Sequence, residues 1–476
     1  MRRIIPSIMV IALGVAVAFA LRQRFQADPA RPSPVPEGDY EIAWIHPSTS
    51  PQTWERMVAA FSQVQVAQYG VYVDDRLAFP DQTATVPEIV VTTAGRRDRL
   101  RLRWYKLSGE VDHDDWVDAL AKRDPPPIAF MGGASSDRAI ELAQALNRRT
   151  EWKGARPLLF ITTATANQVV DPDTGQSSKL IDLYPDRTFR GCFTNEAMAR
   201  AVVDFVWQSE DLKLKPTGEP DARAYVLAWQ DDPYSVDLAD QFAARFRERK
   251  DLGIPLRIVL DQIQYSVGTY NDLNPAERKV LDGAILPDLT AHQQDRSLLV
   301  LPAATHPARR LLRTLAADSP LIGQRLVAVT GDGVSFNTMY RDADVAWPIR
   351  ELSIPLVFFA HQNPVAWGTA GQPPNATDDL LLFADIIRVI AQGIFHGEQV
   401  SNADELAAKL RAGEPPYYTA EGERRPGEGE YVVVVRPQFG EGGRVARDAE
   451  LKVFTRRAGK WVLVQRLDKP SGSGVR

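Results

Sequence analysis

The chain is 476 residues long, and its 56 Lys and Arg against 61 Asp and Glu leave a formal charge of −5. That balance supplies no basic footprint for nucleic acid, and a lone cysteine, Cys192, excludes an internal disulfide and a thiolate zinc cage. With 44% apolar residues the chain can build real cores. Single cores rarely grow past about 250–300 residues, so more than one lobe is expected. The six histidines are scattered, which argues against a dedicated metal site, and no cofactor is implied.

Met1 to Arg3 is basic, and Ile4 to Leu21 is an uncharged run of 18 residues. This reads as an export signal. Ala18-Phe19-Ala20 offers a small-x-small cleavage pattern, yet the run also approaches the roughly 20 residues that span a bilayer, so a cleaved signal and a retained anchor both stand. No Cys follows it to carry a lipid. Residues 22–37 hold Pro29, Pro32, Pro34 and Pro36, the composition of a semi-rigid linker. An exported, periplasmic chain is expected, free or held to the inner membrane.

From Tyr40 the pattern is strand, loop, helix, repeated. Tyr40 to Ile45 is a short apolar run ended by His46 to Ser50, and Trp54, Met57, Val58 and Phe61 share one face of the next helix. Val86 to Thr92, Arg99 to Lys106, Ile128 to Met131 and Leu158 to Thr162 read as strands. A second set follows: a helix from Glu196 to Gln208, then strands at Ala224 to Trp229, Ile258 to Gln264, Ser297 to Pro302 and Leu326 to Thr330. The polar stretch Asp211 to Ala222 is the expected crossing between the two sets. Strands alternating with helices predict parallel sheets wound on both sides, an α/β fold of two doubly wound lobes.

Ligands of open parallel sheets bind outside the carboxyl ends of the strands. Those exits hold Ser48 and Thr49, Ser135 and Ser136, Thr163 and Thr165, Tyr234, Thr305 with His306, and Asp332. Most are hydroxyls before helix starts, where unpaired N–H groups favour an anionic group. Each residue taken alone also reads as an ordinary helix cap.

In this order the motifs resemble the type I periplasmic binding proteins, in particular the branched-chain amino-acid receptors. The resemblance runs from about Tyr40 to Leu467. It rests on Gly132 to Ser136, Thr163-Ala164-Thr165, Thr188-Phe189-Arg190, Asp232-Pro233-Tyr234-Ser235, Gly331-Asp332-Gly333-Val334, the helix Thr377 to Phe395 and a closing hairpin from Tyr431 onward. It implies two lobes joined by three crossings, preceded by the apolar segment of residues 1–21. The expected division is 38–210 with 350–400 in lobe 1 and 222–349 with 401–468 in lobe 2. It also implies that Ser135 or Ser136, Thr163 through its backbone and Thr165 through its hydroxyl hold a ligand carboxylate. Asp332 then meets an ammonium and Tyr234 lines the far lobe. The sequence departs from the family pattern at Thr305, where an aromatic is expected, and at Ser235, which replaces a glycine. His46 to Ser50 lacks the usual glycines, and the stretches 67–86 and 270–294 look like insertions.

The function expected is a non-enzymatic receptor for a small polar, amino-acid-like ligand, serving an ABC importer or a membrane sensor. The alternative is an envelope scaffold that keeps the fold without the ligand. A Ser135, His306, Asp332 hydrolase triad lacks a nucleophile elbow, and Asp112-His113-Asp114-Asp115 reads as a helix cap rather than a metal cluster.

Overall fold

The computed structural model describes residues 31–64, 71–81, 85–171, 174–214, 222–248, 256–269, 272–292, 296–318, 325–334, 354–363, 378–413, 417–425, 430–439 and 445–467. The apolar run 4–21 and most of the linker lie outside them. Among the described residues no helix is long and apolar enough to cross a membrane.

Lobe 1 begins with β1 (Tyr40–Pro47), α1 (Pro51–Val64), β2 (Val71–Asp74), β3 (Glu88–Thr93) and β4 (Leu100–Leu107). It continues through α2 (His113–Ala121), β5 (Ala129–Gly132), α3 (Ser136–Arg148), β6 (Leu158–Ile161), the small hairpin β7 (Gln168–Val170) and β8 (Ser177–Lys179), and β9 (Thr188–Arg190). Its seven-stranded sheet has the order β2-β3-β4-β1-β5-β6-β9. The strands β4, β1, β5, β6 and β9 run parallel, and β2 and β3 add an antiparallel edge. Alternation divides β1 between two layers. Ile42 and Trp44 join Trp54 and Phe61 on one face, and Ala43 and Ile45 join Leu120 and Leu142 on the other. Asp112 caps α2 through a reciprocal bond with Asp115, so the acidic run is a capping box.

Lobe 2 holds α4 (Asn195–Gln208), β10 (Ala222–Trp229), α5 (Pro233–Glu248), β11 (Leu256–Ile263), α6 (Pro275–Val280), α7 (Leu286–Ala291), β12 (Ser297–Val300), α8 (Thr305–Asp318), β13 (Leu326–Val329) and β14 (Leu356–Ala360). After α9 (Asp378–Phe395) and α10 (Ala403–Ala412) the sheet is completed by β15 (Tyr431–Phe439), β16 (Val445–Arg457) and β17 (Lys460–Leu467). The order is β11-β10-β12-β13-β14-β15-β16-β17, with β15 to β17 antiparallel.

The expected boundaries shift in three places. Helix α4 belongs to lobe 2, because it packs on α5, β14 and β15, and its Val202, Phe205 and Val206 share a core with Val357 and Val432. The first crossing therefore lies at Gly191 to Thr194 and not at Asp211 to Ala222, a stretch of which 215–221 lie outside the described residues. Strand β14, inside the 350–400 stretch assigned to lobe 1, pairs with β13 and β15 in the lobe 2 sheet. Helix α10, assigned to lobe 2, packs with α9 in the lobe 1 core, where Leu406 and Leu410 join Ile386 and Ile390. The chain still crosses three times: after β9, after β14 and after α10. The crossings meet at Phe193, with the His361 ring stacked 5.9 Å away and the Arg424 guanidinium 4.2 Å from the ring centre.

The end of the linker is part of lobe 1. Arg103 donates to the carbonyls of Ser33 and Pro34 at 3.0 Å, and Arg123 donates to Ser33 at 2.8 Å. Both arginines also bind the buried carboxylate of Glu41, so the linker closes over a buried charge network.

Candidate functional site

On the lobe 1 side, β5 turns into α3 at Gly133, whose φ of 73° and close approach to Ala139 admit no side chain without strain. Ser135 is the exposed cap residue of α3 and makes no capping bond with its side chain. Ser136 is buried, and its hydroxyl accepts from Ala166 N at 3.4 Å. Thr163 is directed into its own lobe: its N–H bonds Gly133 O at 3.2 Å and its hydroxyl donates to Ala134 O at 3.0 Å. The backbone N–H assigned to a ligand carboxylate is thus engaged, because the pairing of β5 with β6 runs on past the strand ends. Thr165 is 1% exposed. Its carbonyl accepts from Asn195 N and Arg190, while its hydroxyl has no partner.

On the lobe 2 side, Tyr234, Thr305 and Asp332 form one cluster around Gly333. The Tyr234 hydroxyl accepts from Gly333 N at 3.0 Å, and Thr305 donates to Gly333 O at 3.2 Å. A Cβ at Gly333 would fall 2.4 Å from Ala303 O, so glycine is required for this approach. Burial, and then the Asp332 carboxylate, push the Tyr234 hydroxyl well above its ordinary range. Asp332 Oδ2 is 2.7 Å from His361 Nε2. The other ring nitrogen of His361 accepts from Phe193 N, which places the ring proton on the Asp332 side. The triad considered above does not form, since Asp332 meets His361 and not His306.

Asn195 joins the two sides. Its N–H bonds Thr165 O, and its Nδ2 donates to Tyr234 O at 3.2 Å and to Asp237 Oδ2 at 2.8 Å. Asp237, on α5, also accepts from the backbone N–H groups of Asn167 and Gln168 in lobe 1, at 2.7 and 3.0 Å. Burial raises the pKa of Asp237 despite these bonds. Asn195 is fully buried and its Oδ1 has no partner. Sequence reasoning missed Asn195, Asp237 and His361. The first two read as helix-start and helix-surface residues, and His361 follows a strand that the pattern did not reveal.

A cavity of about 410 Å³ lies beside this cluster in lobe 2, at the exits of β10, β11 and β12. Trp229, Asp232, Ser266, Thr269, His306 and Arg310 are among its walls, and none of the seven residues predicted from sequence lines it. Asp232 titrates at about 6, raised first by burial and also by the Asp137 carboxylate on α3 of lobe 1. Among the described residues no group of three or more His, Cys, Asp or Glu side chains converges as a metal site.

Of the solved structures, the leucine-, isoleucine-, valine-, threonine- and alanine-binding protein of Brucella ovis, in its closed conformation, superposes with a TM-score of 0.53. The match covers 90% of this chain and 95% of that one at 13% identity. The fold is that of the type I periplasmic binding proteins. A type I binding-protein fold accounts for both sheets and for the three crossings. A putative branched-chain amino-acid ABC transporter protein of Silicibacter pomeroyi matches over 90% of this chain and 96% of its own, with 12% identity and a TM-score of 0.48. No protein-family model and no curated protein matches the sequence.

Proposed function

We propose that this chain is an exported, non-enzymatic solute receptor that closes two lobes around a small polar, amino-acid-like ligand and presents it to an ABC importer or a membrane sensor. The observation that carries this reading is the pair of buried, unpartnered polar atoms, Thr165 Oγ1 and Asn195 Oδ1, at the junction of the lobes. A buried polar atom without a partner costs about 1–3 kcal/mol, and a ligand bearing donors and acceptors removes that cost. Ser135, Ser136, Thr163 and Thr165 form one wall of the proposed site, and Tyr234, Thr305 and Asp332 the other. The apolar run 4–21 delivers the receptor to the periplasm and, if retained, holds it to the inner membrane. Thermal-shift screening against amino acids, amides, sugars and purines tests the reading, since a ligand at 100 times its Kd adds about 2.7 kcal/mol. A screen with no stabilising solute rejects it.

The scaffold reading is favoured by Asp237, whose carboxylate bonds the backbone of lobe 1 directly across the junction. Under that reading the closed arrangement is the resting state, and no solute changes the shape of the protein in solution scattering.

A further inference from the structure

The segment Ser266 to Thr269 after β11, just ahead of the stretch 270–294 that reads as an insertion, builds a wall of the lobe 2 cavity. Ser266 and Thr269 line it, and Glu277, from the start of α6, holds Arg310 in place. That ion pair is dry, with the two side chains 0% and 1% exposed. Arg310 donates to Glu277 through Nε and Nη2 at 2.6 Å, to Ser266 O, and to Thr269 O at 3.3 Å. Its charge is neutralised and nearly all its N–H groups are engaged, so Arg310 does not make this an anion site. Burial, and then Arg310 and Arg309, lower the pKa of His306 and so disfavour its charged form.

The remaining ionisable wall group is Asp232. One of its oxygens accepts from Tyr234 N at 3.0 Å at the start of α5. Among the described residues no Lys, Arg or His forms an ion pair with Asp232. Burial is the main reason its pKa is raised, and the Asp137 carboxylate of lobe 1 adds a smaller push in the same direction. The rest of the wall is largely apolar, with Trp229, Val267 and Pro307. The volume lies within the roughly 300–1,000 Å³ of ordinary small-molecule pockets.

We propose that this cavity is a subsite of the cleft that takes a cationic, amine- or guanidine-bearing end of the ligand, its carbon chain lying against Trp229 and Pro307. The inference rests on the receptor reading and names the ligand class for it. Calorimetry on the full chain with L-lysine against L-norleucine, and L-arginine against L-citrulline, compares each cation with a neutral molecule of similar shape. The cationic member should bind at least about tenfold tighter, the equivalent of about 1.4 kcal/mol, and Asp232→Asn should abolish that advantage. Equal binding of the paired ligands, a preference that survives Asp232→Asn, or a solute screen whose hits all lack a cationic group overturns the subsite while the receptor stands. Absence of binding by these four and by every solute of the wider screen overturns the receptor reading and the subsite together.

Discussion

His361 Nε2 lies 2.7 Å from Asp332 Oδ2, and this bond ties the crossing after β14 to the glycine-flanked loop after β13. His361 is 1% exposed and also accepts from Phe193 N on the first crossing. The pair therefore couples a cleft loop to two of the strands on which the lobes would hinge. Truncating either member strands a buried polar group at a cost of about 1–3 kcal/mol. Asp332→Ala and His361→Ala should each lower the denaturant midpoint, and the double variant should lose less than the sum. Strict additivity would mean that the two residues act separately.

Asp237 bridges the lobes through charge-assisted bonds to backbone N–H groups, each worth about 1.5–3 kcal/mol. Asp237→Ala should destabilise the protein and loosen its closure. Small-angle scattering should then report a larger radius of gyration than for the unaltered chain. An unchanged radius would place the control of closure elsewhere.

Asp232 titrates at about 6 in the folded chain, against about 3.9 for an unfolded aspartate. The folded state thus holds a proton that the unfolded state has released, so this contribution to stability is full below about pH 4 and is lost as pH rises through 6. Asn caps a helix as well as Asp does. Asp232→Asn should accordingly match the unaltered protein near pH 4 and exceed it by about 1–3 kcal/mol at pH 7.5, each pKa unit being worth about 1.4 kcal/mol. Melting curves across that range check it, and a difference independent of pH would contradict it.

His46 has the opposite dependence. Its ring stacks on Trp44 at 4.5 Å, its Nε2 is buried without a partner, and burial, with a smaller effect of Arg138, lowers its pKa to about 4. The unfolded chain takes up this proton below about pH 6.5, so stability is lost as pH falls from there toward 4. His46→Phe keeps the stack and removes the titration. Its stability profile between pH 6.5 and 4 should be flatter than that of the unaltered chain by about 2–3 kcal/mol.

Glu277 accepts from both Arg310 and the indole N–H of Trp229. Removing it leaves a buried guanidinium unpaired, a loss of about 3–5 kcal/mol. Glu277→Ala should fold poorly or melt well below the unaltered protein. Replacing both partners, as in Glu277→Leu with Arg310→Met, should recover much of the loss.

Local order was legible in the sequence because it depends on neighbours along the chain. The alternation of strands and helices, the capping box at Asp112 and the strand exits carrying Ser136, Thr165, Tyr234, Thr305 and Asp332 all follow from periodicity and turn chemistry. The tertiary structure decided which lobe each element joins. The apolar face of α4 would suit either sheet, and only its packing against α5, β14 and β15 assigns it to lobe 2. Strand β14 is a short apolar run whose partners, β13 and β15, are far away in sequence or follow two intervening helices. The groups that span the junction were hidden for the same reason. Asn195, Asp237 and His361 acquire their roles from partners about 30 to 170 residues away, and no pattern of near neighbours encodes a hydrogen bond that exists only once two lobes have come together.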